Sequence, residues 1–228
     1  MPIAALYDVH GNVHALEAVL AEVERERADA IVFGGDIAAG PFPRETLALV
    51  RSLEAVCIRG NADRRNGEWG AHPWVWEQLG EEAGAWLEGL PDHAVLDGIF
   101  FCHATPRSDR EVVTAATTDE RLAEILAGVE QERVVAGHTH MQQDRRVDRR
   151  RFVNPGSVGR PYEDAPGAYW AVVGEEVDLR RTPYDLEAAA AAVRTSGHPR
   201  AAELADENVL TVPGRAEATA YFESLPRE

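Results

Sequence analysis

The chain has 228 residues, 45% hydrophobic and 27% charged, with 39 acidic against 23 basic side chains and a formal net charge of −16. That length suits one well-cored domain with an appendage, and so acidic a surface repels nucleic acid backbones, which excludes long DNA or RNA as the expected substrate. No apolar run approaches the roughly 18 residues of a membrane span, and the N-terminus lacks the basic and long apolar regions of a signal peptide, so a cytoplasmic protein is expected.

Residues 3–7 form a short apolar run that predicts a buried strand. Val13, Leu16, Val19, Leu20 and Val23 then share one helical face, with Asn12 as the N-cap. Residues 30–33 predict a second strand, 44–53 a helix and 55–58 a third strand. Alternation of this kind implies a parallel sheet with functional loops at the carboxyl ends of its strands. Residues 74–87 predict a further helix. Strands at 94–96 and 99–102 join through Asp97-Gly98, a strong hairpin signal. Residues 119–129 predict another helix, and Val134-Val135 lead into Gly137-His138-Thr139-His140. Strands at 143–147, 151–153, 168–173 and 177–181 then suggest a second, more antiparallel sheet. The run Arg145-Arg146-Val147-Asp148-Arg149-Arg150-Arg151 reads as a hairpin turn with solvated arginines. Composition shifts after Thr182-Pro183: residues 185–194 are Ala-rich and helical, and Gly197 and Pro199 end that helix. Residues 183–228 are expected to be a helical extension packed on the core or on a partner subunit. Cys57 and Cys102 each sit in an apolar run and read as small core residues in a reducing compartment.

Chemistry concentrates in five islands: Asp8-Val9-His10, Gly34-Gly35-Asp36, Gly60-Asn61, His103 and Gly137-His138-Thr139-His140. Each ends or follows a strand-like run. Asp8 and His10 are two apart, as are His138 and His140, and in an extended segment that spacing puts both side chains on one side. The helical zinc-protease motif His-Glu-x-x-His is absent. Asp36 follows two glycines, which let the backbone approach closely. Carboxylate, carboxamide and imidazole donors suit divalent Mn, Fe, Zn, Co or Ni.

In this order the islands resemble the pattern of the calcineurin-like metallophosphoesterase superfamily: Asp-x-His, Gly-Asp, Gly-Asn-His-Asp/Glu, His, Gly-His-x-His. The resemblance spans residues 3 to 182 and includes Asn154-Pro155-Gly156-Ser157, like the segment that small bacterial and archaeal members carry after the last histidines. It implies an α/β fold, a four-layer α/β/β/α sandwich over residues 1–182, with the site at one edge of its two sheets. It further implies two divalent ions, manganese first, with Fe, Zn, Ni, Co or Mg as alternatives. One would take Asp8, His10, Asp36 and His140, the other Asp36, Asn61, His103 and His138. Ions about 3.5–4 Å apart can share a hydroxide and clamp a phosphoryl group, and Asp36, Asn61 and His103 would act through that hydroxide. By formal counting the loaded site carries about +2, a local positive pocket in an acidic chain.

Ala62 departs from the pattern, standing where many relatives carry a histidine that stabilises the transition state or protonates the leaving oxygen. Help of that kind is worth about 10²–10⁴ in rate. Some small superfamily members carry Cys at this position and behave as phosphodiesterases. The chain is therefore expected to be a phosphodiesterase acting on small-molecule or nucleotide substrates with good leaving groups. The alternatives are a phosphomonoesterase or protein phosphatase, and a non-catalytic metal-binding scaffold. His72 is the candidate substitute acid or substrate contact. Arg107 is the candidate phosphate-binding residue, with Arg110 beside it. Arg160 and Tyr162 are candidates for the pocket rim. Asp63 is expected to cap the following segment or to pair with Arg64 or Arg65. A homo-oligomer is compatible with the acidic tail as an interface.

Overall fold

The computed structural model describes residues 1–65 and 69–225. In chain order its first elements are β1 (Ile3–Leu6), α1 (Val13–Glu26), β2 (Ala30–Phe33), α2 (Pro43–Arg51), β3 (Val56–Cys57) and α3 (Pro73–Glu88). There follow β4 (His93–Leu96), β5 (Ile99–Cys102), α4 (Asp119–Leu126), β6 (Arg133–Val135), β7 (Gln143–Val147), β8 (Arg150–Asn154), β9 (Ala168–Val173) and β10 (Val177–Thr182). The C-terminal helices are α5 (Leu186–Arg194), α6 (Ala201–Ala205) and α7 (Arg215–Ser224), with one wider turn over Asp206–Leu210.

The strands form two five-stranded sheets, ordered β10-β9-β1-β2-β3 and β4-β5-β6-β8-β7. The period-2 alternation of β1 explains how they stack. Ala4 and Leu6 face Ala15, Leu16, Val19 and Val23 of α1, while Ile3, Ala5 and Tyr7 face Ile99, Phe101, Val135 and Val153 of the second sheet. Beyond that sheet, Leu122, Ile125 and Leu126 of α4 cover Cys102, Val134 and Phe152. The layers run helix, sheet, sheet, helix, as the resemblance implies.

Local signals hold well. Asn12 accepts the Ala15 N–H at 3.1 Å and caps α1. Asp97 and Gly98 both have positive φ (50° and 72°), as a two-residue hairpin turn requires. The helix expected at 74–87 is broken by Gly80, whose φ of 74° and ψ of −178° are not helical.

One expectation needs correcting. The last four strands do not make one sheet: β7 and β8 lie in the second, whereas β9 and β10 return to the first, with β9 antiparallel to β1. Trp170 on one face of β9 packs in the helix-side core, and Ala171 and Val173 on the other pack between the sheets. A strand buried on both faces needs cover on both: the helix layer and the second sheet provide it, while β1 and β10 pair with the edges of β9.

The C-terminal helices lie on the sandwich. Ala189, Ala190 and Val193 of α5 pack with Ala205, Val209, Phe42 and Tyr184. Ala218 and Phe222 of α7 pack on Met141, with Val112 and Tyr162 alongside. No described helix is long and apolar enough to cross a membrane. Cys57 and Cys102 are both free thiols. Of the arginines at 145–151, Arg145 pairs with Asp119 and Arg151 with Asp144.

Candidate metal centre

All five islands lie just beyond strand ends: Asp8 after β1, Asp36 after β2, Asn61 after β3, His103 after β5, and His138 with His140 after β6. The carboxyl ends of parallel strands open to one side, where no further ladder partner competes for the loops. The loops are laced together by backbone bonds. Asp8 N–H donates to Gly35 O at 3.2 Å and His10 N–H to Asp36 O at 2.8 Å, while Gly137 N–H donates to His103 O at 2.6 Å. At Gly60 a Cβ would collide with Asp36 Oδ1, so only glycine permits this approach.

The two-residue spacing of Asp8 with His10 and of His138 with His140 does not act through extended backbone. None is extended. Asp8, His10, Asp36, His138 and His140 all have left-handed backbone, with φ of 54°, 46°, 53°, 68° and 57°. They are five of the nine non-glycine residues of positive φ among those described. Each such conformation costs on the order of 1–3 kcal/mol and persists only where its surroundings enforce it. Turning the backbone at each of these residues, rather than alternation along a strand, brings the side chains inward.

Asp8, His10, Asp36 and His140 each bring one donor atom within 4.8 Å of all the others. His10 Nε2 stands 3.1 Å from His140 Nε2 and 3.5 Å from Asp36 Oδ2, and His140 Nε2 is 3.3 Å from Asp8 Oδ1. His103 Nε2 lies 2.9 Å from Asn61 Oδ1, 3.6 Å from Asp36 Oδ1 and 3.9 Å from Asp8 Oδ1. His138 completes the group by ring contact with His103, centroids 5.3 Å apart. Two of these buried atoms, Asp8 Oδ1 and His138 Nε2, have no hydrogen-bond partner.

The histidines share one arrangement. His103 Nδ1 sits 2.8 Å from Gly34 O, His140 Nδ1 2.6 Å from Arg160 O and His10 Nδ1 3.4 Å from Ala39 O, and the backbone of Arg110 takes a bond from His138. A carbonyl at Nδ1 fixes that nitrogen as the protonated one and leaves Nε2 as a lone-pair donor facing inward. Lone pairs and carboxylate oxygens therefore point at one another across the cluster. Burial holds His10, His138 and His140 well below the ordinary histidine range, reinforced by neighbouring rings and, for His10 and His140, by the Arg160 charge. Burial pushes the Asp8 carboxyl up to about 6, against the pull of His103 and the His138 N–H. Asp36 is driven up by burial and by the charges of Asp63 and Asp8. Unprotonated imidazoles beside crowded, desolvated carboxylates form a donor set that a divalent cation satisfies.

Several side chains support this set. Asn154 Nδ2 donates to Gly137 O (2.9 Å) and Thr139 Oγ1 (3.1 Å), and the Ser157 hydroxyl donates to Asp8 O at 2.7 Å, which explains the Asn-Pro-Gly-Ser segment. Asp63 corrects the sequence reading. Its carboxylate pairs with neither Arg64 nor Arg65 but accepts the N–H groups of Asp36 (2.7 Å), Ile37 (3.0 Å) and Gly60 (2.9 Å). Arg64 bonds Asp109, and Arg65 bonds Glu81.

Arg107 and His72 are placed differently from their expected roles. The Arg107 guanidinium is committed to Glu111, whose carboxylate also takes Thr105 and Arg121. His72 is exposed and caps α3, accepting the Trp74 N–H at 3.1 Å, and its ring lies against His198. Neither makes a contact with the cluster among the bonds of the described residues. Two aromatics that the sequence pattern does not tie to the histidines stack on them. Trp69, 44% exposed, stacks on His138 at 5.7 Å, and its carbonyl accepts from Asn61 Nδ2 at 3.2 Å, which turns Asn61 Oδ1 inward. Tyr162 stacks on His140 at 4.7 Å. A lone tryptophan in a polar loop was the only available signal for the first.

A family description of the calcineurin-like phosphoesterase superfamily domain matches residues 1–177. This chain belongs to the calcineurin-like phosphoesterase superfamily. The superfamily fold recurs in solved structures. A metallophosphoesterase from Sphaerobacter thermophilus is 27% identical, with a TM-score of 0.75 over 96% of this chain and 100% of that one. The hypothetical protein PH1004 from Pyrococcus horikoshii is 22% identical, with a TM-score of 0.78 over 92% and 99% of the two chains. Uncharacterized protein MJ0912 of Methanocaldococcus jannaschii is 24% identical over 221 residues, 82% of this chain and 89% of that protein.

Proposed function

We propose that this superfamily member is a metal-dependent phosphodiesterase of the cytoplasm, acting on a small phosphoester or nucleotide and using two divalent ions, manganese first. The observation that carries the reading is the inward-facing donor set of Asp8, His10, Asp36 and His140, with all four donor atoms within 4.8 Å. Those four would hold one ion. Asp36, Asn61, His103 and His138 would hold the other, so Asp36 serves both. Bound ions supply Lewis acidity toward a phosphoryl oxygen and bring the pKa of a coordinated water toward roughly 7.

The remaining chemistry belongs to the chain. Ala62 is buried, 5% exposed, and offers a methyl group where a proton donor would stand. A leaving oxygen then departs without that proton, which favours esters whose leaving groups are already good. Diesters of phenols and activated or cyclic nucleotides meet that requirement better than alkyl monoesters. The net charge of −16 supports a small anion drawn to a local positive pocket rather than a long polyanion.

The experiment is metal analysis combined with turnover of a nitrophenyl phosphodiester and the matching monoester across divalent metals. Two bound ions per chain and faster diester hydrolysis are expected. Two bound ions with no hydrolysis under any metal would leave a binding scaffold. Faster monoester hydrolysis would make the protein a phosphatase.

A further inference from the structure

Arginines around the centre are mostly spoken for. Arg64 bonds Asp109, Arg107 bonds Glu111 and Arg215 bonds Glu163. Arg160 differs. Its Nε is buried with no hydrogen-bond partner, and no carboxylate among the described residues pairs with its guanidinium. Glu203 senses its charge but is itself bonded to Arg200. In a chain with 39 acidic residues an unpaired, partly buried cation is conspicuous, because desolvating it is costly unless an anion answers it.

The backbone of Arg160 is anchored to the cluster at both ends. Its N–H donates to Ser157 Oγ at 2.8 Å, and the same hydroxyl holds Asp8 O. Its carbonyl accepts His140 Nδ1 at 2.6 Å. The guanidinium lies over the Tyr162 ring, 6.0 Å from its centroid, and Arg160 lines a cavity of about 30 Å³ with His10, Asn12 and Asn208. Val193 and Leu204 of the C-terminal helices also line that cavity. Such a space admits a phosphoryl oxygen or one water, not an organic substituent.

We propose that Arg160 is the phosphoryl-binding arginine of this site, its guanidinium taking a non-bridging oxygen of the ester from the side of His10 and His140. The inference rests on the phosphoesterase reading and names the residue that grips the substrate. The planar fork of arginine matches two oxygens of one phosphoryl group. Arg107, already paired, is left with a structural role.

Inorganic phosphate is the probe. Arg160→Gln, Arg160→Lys and Arg107→Gln are compared with wild type for melting temperature, bound manganese and calorimetric phosphate affinity of the manganese-loaded protein. Arg160→Gln is expected to keep its metal and melting temperature while phosphate Kd rises about 10- to 100-fold. Arg160→Lys should recover part of that loss, keeping the charge without the fork, and Arg107→Gln should stay within about twofold of wild type. Unchanged phosphate affinity in Arg160→Gln overturns the proposal. So does loss of metal in both Arg160 variants, which would make the residue a support for His140 instead. The two readings separate cleanly. A fall in phosphate affinity upholds Arg160 even if no ester is turned over, and ester turnover with unaltered phosphate affinity upholds the hydrolase while removing Arg160.

Discussion

Asp63 holds Asp36 from behind: its carboxylate accepts the Asp36 backbone N–H at 2.7 Å while also gripping Ile37 and Gly60. The turn that aims the Asp36 carboxylate is thus tied to the loop after β3. Asp63→Asn keeps the volume but surrenders the charge and part of the acceptor capacity. Manganese affinity should fall about 10- to 100-fold, the usual toll for groups that orient ligands. Calorimetric titration of metal-free protein measures this, and an affinity within about twofold of wild type would remove Asp63 from that role.

Ala62→His tests the specificity argument. Ala62 N–H already donates to Asp36 Oδ1 at 2.7 Å, and the side chain is buried, so an imidazole must be accommodated at a cost of about 1–3 kcal/mol. Monoester turnover should rise relative to diester turnover by about 10². If kcat for the two nitrophenyl esters keeps its wild-type ratio, position 62 does not set the preference.

Metal binding should release protons at acid pH. The Asp8 carboxyl, raised from 3.8 to about 6, is protonated below that pH, and a cation must displace the proton. Asp36 shifts in the same direction. His10, His138 and His140 shift downward and bring no proton near pH 6. Affinity therefore climbs as pH rises through about 6. Manganese titrations in buffers of different ionisation enthalpy should count more protons released at pH about 5.5 than at about 7.5. Equal counts contradict the assignment of Asp8.

Phe222 couples the C-terminal helix to the centre, with its ring 6.1 Å from Tyr162 and 6.3 Å from His138. Phe222→Ala should cost about 3 kcal/mol in chemical denaturation. A loss under about 0.5 kcal/mol would mean that α7 contributes little to the fold.

The donor types and their order along the chain could be read directly. Aspartates, an asparagine and histidines stand beside glycine at the ends of apolar runs, and strand ends are written in local composition. Asn12 as a cap and Asp97-Gly98 as a hairpin are local for the same reason, since each bond closes within a few residues. What only the tertiary structure decided lies between residues far apart. The left-handed turns at Asp8 and His140 are imposed by neighbouring loops, so strand alternation could not foresee them. Trp170 and Ala171 mark β9 as buried on both faces, a demand that hydropathy states without naming the sheet, and only the ladder with β1 places it in the first. Arg107 and Arg160 look alike in sequence. They are distinguished by Glu111 pairing with one and no carboxylate among the described residues pairing with the other, because an ion pair is a matter of position and not of residue type.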